Sequence, residues 1–135
     1  VIAFKSDTVR EQWDSGNVDA RLKAVILALE GLLSRDMPPR SVVLTSIYRK
    51  PGAIAGESGI HGTWCAADIS TASIPTPLIG EAETALNTIF RYGVGNDGKP
   101  HDVAFYHNAG NGYHLHLQVP PPRVRPEEWE GFPLR

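Results

Sequence analysis

The sequence predicts an α+β fold, a small antiparallel sheet with helices packed on it. Two observations point there. Candidate helices and strands are segregated in the order helix, strand, loop, strand, helix, hairpin, and do not repeat as βαβ units. The last strand, YHLHLQV at 113–119, alternates apolar and polar residues with the period of two that a sheet with one covered face requires. At 135 residues the chain falls in the range of a single domain, and a 41% hydrophobic fraction with three Trp supplies one core. No repeat or linker divides it, so residues 1–135 are expected to form one domain.

The assignments begin at residue 17. Residues 17–35 read as a helix: Asn17 can cap it, Val18, Leu22, Val25, Leu29 and Leu32 recur at helical steps, and Pro38-Pro39 prevents continuation. SVVLTSIYR (41–49) is short and β-branched, hence a strand. KPGAIAGESG (50–59) is an irregular loop, and CAADIS (65–70) a second short strand. A helix follows over about 77–92, with Thr76 as cap and Leu78, Ile79, Ala82, Leu86, Ile89 and Phe90 on one face. Residues 94–101 are turn-rich, and DVAFYH (102–107) and 113–119 form a hairpin across NAGNG. Pro120, Pro121 and Pro122 open a Pro-rich, irregular segment running to Arg135.

Composition excludes some functions. A formal net charge of −2 without charge runs argues against a nucleic-acid partner or a membrane surface. No apolar run reaches the length of a membrane span, and no signal peptide is seen. Compartment stays open, and nothing reveals the oligomeric state, for which a monomer is the expectation. Cys65 is the single cysteine, which rules out a zinc site of several thiolates. Beside Trp64, Ala66 and Ala67 it reads as a small buried hydrophobe rather than a nucleophile.

Two histidines on one strand face raise the question of function. In an extended 113–119, Tyr113, Leu115, Leu117 and Val119 share one face, and His114, His116 and Gln118 the other. Imidazole is the commonest metal ligand and the usual general base near neutral pH. Upstream, His61 and Asp68 lie seven residues apart, and a turn through Gly62 can bring both to one point. With a histidine from 113–119 they make three nitrogen and oxygen ligands, the plan of a catalytic zinc site that keeps one position open for water.

The run LTSIYR, then SGIHGTWCAADI, then HLH resembles the zinc D-alanyl-D-alanine metallopeptidases over roughly residues 41–119. That family includes carboxypeptidases, murein endopeptidases and phage endolysins, and shares its fold with the hedgehog signalling domain. The resemblance implies one Zn²⁺ held by His61, Asp68 and His116, and Arg49 holding a substrate carbonyl or carboxylate. It further implies cleavage of peptidoglycan peptides at the bacterial cell wall. Many members carry a glutamate base three residues before the last ligand, where this chain has Tyr113. The murein endopeptidases carry His-x-His instead, which makes His114 the acid-base or electrostatic partner. The family's serine two residues before the first ligand is Gly59 here, with Ser58 displaced by one. Glu57 and His107 are spare candidates for proton transfer.

Two other readings stand beside this one. AGNGYHLHLQVPP is similar to the nucleophile strand of the histidine-triad nucleotide hydrolases and transferases. His116 would then attack phosphate beside Gln118, leaving His61 and Asp68 unexplained and lacking a phosphate-binding nest. The third reading is a catalytically silent zinc domain used for binding.

Overall fold

The structure is a computed structural model that describes residues 1–36, 42–53, 59–95, 97–108 and 112–121. Among these residues the fold is α+β, with three α-helices and a five-stranded sheet. The chain runs β1 (Ile2–Phe4), α1 (Asp7–Asp14), α2 (Ala20–Asp36), β2 (Val42–Ser46), a 3-10 turn (Ile60–Thr63), β3 (Ala66–Ile69) and α3 (Thr76–Ile89). A short pair, β4 (Gly93–Val94) and β5 (Pro100–His101), precedes the hairpin β6 (Ala104–Asn108) and β7 (Tyr113–Gln118).

The sheet order is β1-β2-β3-β7-β6. The expected antiparallel sheet is corrected to a mixed one, because β1 runs parallel to β2 while the other pairs are antiparallel. Neither β1 nor α1 is foreseen from sequence. Three residues are too few to display a period, and α1 buries only Val9. What starts α1 is Ser6, whose hydroxyl accepts from the Val9 amide at 3.3 Å.

The cap of α2 is Asp19 rather than Asn17. Its carboxylate accepts from the Arg21 amide at 2.9 Å and from the Arg21 guanidinium at 2.9 and 2.8 Å. Burial pushes the Asp19 carboxyl up, but those bonds and the charge of Arg21 outweigh it and hold it below the usual range. Leu22, Val25, Ile26, Leu29 and Leu33 then form the buried stripe. Helix α3 ends at Ile89, short of the expected 92, since Phe90 turns extended and both Phe90 and Tyr92 bury themselves outside the helix.

Helix α2 packs on α3 and β7, and α3 on β6. Together they cover the face carrying Val42, Leu44, Ile69, Leu115 and Leu117, all at most 1% exposed. The edge strand β6 is held by α3: Asn87 bonds both the amide and the carbonyl of Ala104, at 3.0 and 2.7 Å, and Glu83 accepts from the Tyr106 amide at 2.6 Å. Those side chains occupy backbone groups that would otherwise invite a further strand. After β7, the Arg21 guanidinium donates to the Pro120 carbonyl at 2.6 Å, and Pro120 and Pro121 are buried. The expectation for 122–135, like most of those for the NAGNG loop and for Pro38-Pro39, lies outside the described residues. No described helix is long and apolar enough to cross a membrane.

Candidate metal centre

Directly paired residues of neighbouring strands share a sheet face. Asp68 on β3 pairs with His116 on β7, while on β6 Phe105 pairs with His116 and His107 with His114. These residues therefore gather on the face opposite the helices, as the alternation in 113–119 requires. Ser46 reaches the same face through a register shift in β2. Leu44 stands opposite Ile69, but Ser46 stands opposite Asp68, so one extra residue intervenes. The side-chain parity flips there: Val42 and Leu44 are core residues, Ser46 turns to Asp68, and Ile47 returns to the core.

His61 comes from the 3-10 turn. Gly59 enters it in the left-handed region and Trp64 leaves it at φ 63°, a conformation that costs a non-glycine residue about 1–2 kcal/mol. The Trp64 ring stacks on Tyr48 at 4.5 Å between centroids. A Cβ on Gly62 would lie 2.7 Å from the Pro51 ring and 3.3 Å from the Arg49 carbonyl, so only glycine lets the turn press against the segment after β2. The stack and this close approach bring Arg49 and His61 to one place.

Asp68 is the hub. His116 Nδ1 lies 3.0 Å from its Oδ1, His114 Nε2 3.3 Å from Oδ1, and His61 Nε2 3.4 Å from Oδ2. Arg49 Nη1 donates to Oδ2 at 3.2 Å and to the Ser46 hydroxyl at 2.6 Å. Arg49, His61, His114 and His116 thus all meet at Asp68. His61, Asp68 and His116 are buried and offer ligand atoms within 4.8 Å of one another, a spacing compatible with a metal ion.

The hydrogen bonds on the far side of each ring decide what the near side offers. His61 Nδ1 is 2.7 Å from the Ile47 carbonyl, which can only accept, so Nδ1 carries the proton. Its Nε2 is buried with no hydrogen-bond partner. Gln118 does the same for His116. Its amide nitrogen donates to the Asp102 carbonyl at 3.0 Å, which turns its oxygen to His116 Nε2 at 3.1 Å. His116 therefore donates from Nε2, and in the neutral ring Nδ1 is a bare acceptor facing a carboxylate. Two imidazole lone pairs and a carboxylate aimed at one another are unfavourable in a buried site unless a cation lies among them or both rings take up a proton. This is the donor arrangement that fits a metal.

Burial pushes the Asp68 carboxyl up, but hydrogen bonds and positive charge from the His116 and His61 rings, in their protonated form, outweigh it and hold it well below the usual carboxylate range. The carboxylate is deprotonated, as a ligand must be. Burial, and then the charges of His114 and His116, hold His107 below the usual imidazole range. Burial likewise pushes the Cys65 thiol up to about 11, which leaves it a buried apolar group and no nucleophile.

Ser46, Gln118, the Ile47 carbonyl and Phe105, which stacks on His116 at 4.6 Å, are site elements missed in the sequence. Gln118 alone carried a signal, since it falls on the histidine face of 113–119. Glu57 and Ser58 lie outside the described residues. No family model, curated protein or solved structure matches the chain.

Proposed function

We propose that this chain is a zinc-dependent peptidase acting on the stem peptides or cross-links of bacterial peptidoglycan, with a fold of the hedgehog and D-Ala-D-Ala-peptidase type. The carrying observation is the convergence of the His61 and His116 lone pairs on Asp68, each fixed by a hydrogen bond behind it. Two imidazoles, one carboxylate and no thiolate suit a borderline ion such as zinc with an open position. The resemblance across 41–119 supplies the substrate class. Zinc in such a centre contributes a Lewis acid and a water of lowered pKa.

The remaining work falls to the chain's own side chains. His114 is the more exposed of the β7 histidines, 17% against 7%, and its Nε2 sits at the rim of the carboxylate. It takes the proton that peptide hydrolysis must move and returns it to the leaving amine. Arg49 places positive charge beside Asp68, where a substrate carboxylate or a developing oxyanion would be held. Ser46 holds that guanidinium in place.

The histidine-triad reading leaves His61 and Asp68, which meet His116 in this cluster, without a role. The silent zinc domain keeps one argument, because Tyr113 stands where many family members carry glutamate. The test is zinc content after purification without added metal, together with hydrolysis of peptidoglycan. One equivalent of zinc, and turnover lost to a chelator and restored by zinc, is the expected result. Absence of metal binding would overturn the reading, and zinc without turnover would leave the silent domain.

A further inference from the structure

The polar face of β7 carries a second group of imidazoles. His107, His114 and His116 each bring one ring nitrogen within 4.8 Å of the others. His107 stands opposite His114 across the β6–β7 ladder, with ring centroids 4.6 Å apart and planes at 62°. The Nε2 of His107 is sealed from solvent with no hydrogen-bond partner. It is thus the second orphaned imidazole nitrogen on this face, after that of His61. Its strand is anchored by Asn87 and Glu83, so the ring is held on a fixed backbone.

We propose that His107 and His114 form a second, weaker transition-metal position beside the first, with His116 at the shared edge, and that excess metal inhibits the protein through it. The inference rests on the reading of His61, Asp68 and His116 as the first site. An imidazole-only group selects zinc, nickel or copper over magnesium or calcium. It is weaker than the first site because His116 is already committed to Asp68 and Gln118, which leaves two protein ligands completed by water. Filling it inhibits because the His114 lone pair that would accept a proton is then bound to metal.

The experiment titrates the full chain, loaded with one equivalent of zinc, with further zinc by equilibrium dialysis while peptidoglycan hydrolysis is followed. A second, weaker equivalent should bind in the wild type, and turnover should fall as it fills. Nickel should reproduce the effect and magnesium should not. His107→Ala and His107→Phe should keep the first equivalent, yet lose the second equivalent and, whatever their turnover without added metal, the inhibition by further zinc. The phenylalanine variant retains a ring against Phe105 in case the alanine variant folds poorly. A wild type that stops at one equivalent, or inhibition that survives both His107 variants, overturns the proposal. Failure of the underlying reading has a different signature: an ion whose binding depends on His107 and not on Asp68 would support this site and sink the first. If turnover is absent altogether, stoichiometry in the wild type and the two variants decides.

Discussion

The two faces of β7 are built from alternate residues of one six-residue strand, and both are largely buried. On one face Leu115 and Leu117 meet the helices within the buried hydrophobic core. On the other, His116 and Gln118 are as enclosed, at 6% and 7% exposure, yet their neighbours are a carboxylate, an arginine and further imidazoles. The first face lowers the free energy of the fold. The second buries an anion and imidazole lone pairs against one arginine, and contributes less stability than the apolar face. Burial alone therefore does not distinguish the two faces, whereas the balance of donors and acceptors does.

The largest effects should come from dividing the polar face. His116→Ala removes one of the three proposed ligands and should lose the tightly held zinc and activity together, since two protein ligands and water hold the ion only weakly. His114→Ala should keep most of its zinc and lose activity by about 10²–10⁴-fold, the usual worth of a general acid-base group. Metal analysis and peptidoglycan hydrolysis on the same preparations check both. The reverse pattern would exchange the two roles, and unchanged zinc and activity in both would make the face merely structural.

Leu117→Ala is the matching change on the apolar face. It removes a fully buried side chain and should cost about 2–5 kcal/mol in chelator, read by denaturant unfolding. The folded variant should still bind one zinc with unchanged affinity. A large loss of affinity would mean that the two faces are mechanically coupled through the strand.

This contrast also explains how much the sequence disclosed. Alternation made both faces of 113–119 legible, and the seven-residue interval placed His61 and Asp68 at one point. Asn17 misled because a second polar residue two positions on, Asp19, competes for the same capping role and wins through its bond to the Arg21 amide. The register shift that turns Ser46 toward Asp68 left no mark in VVLTS, because a bulge is defined by the partner strand. The parallel pairing of β1 was hidden for the same reason: three residues have no period, and their partner lies some forty residues away.

Arg49 tests whether charge or shape matters on the polar face. Arg49→Lys keeps the charge and loses the planar fork that spans Ser46 and Asp68. Activity should fall about 10²-fold, the worth of one oxyanion donor, with the melting temperature of the chelated protein little changed. If melting drops sharply instead, the guanidinium serves mainly to neutralise buried Asp68.

Gln118 should have a smaller effect, because it touches no substrate and acts through His116. Gln118→Leu preserves bulk and removes the oxygen that receives the Nε2 proton. Ring orientation and basicity then lose their support, and zinc affinity should weaken by about 10–100-fold. Gln118→Glu restores an acceptor and should recover most of that affinity, which a purely packing role would not predict. A competition titration against a chromophoric chelator reads both variants.

The smallest effect is expected at Tyr113, and it sharpens the comparison most directly. Tyr113 has the parity of the apolar face but lies beyond the helices, 62% exposed, with its ring 5.0 Å from that of Tyr106. It stands three residues before His116, where the resemblance would place a glutamate base. It lies three positions from His116 along the strand, an odd step, so a side chain there points away from Asp68. Tyr113→Phe should therefore leave zinc content and turnover unchanged, and alter stability by no more than about 0.5 kcal/mol, as surface changes usually do. Tyr113→Glu should add no activity, because β7 of this chain pairs regularly through residue 113 and so turns a carboxylate there away from Asp68. A large loss in the phenylalanine variant would mean that the phenol reaches the site during turnover. The strand would then have to twist out of the alternation that separates its two faces, and the assignment of the proton to His114 would fall with it.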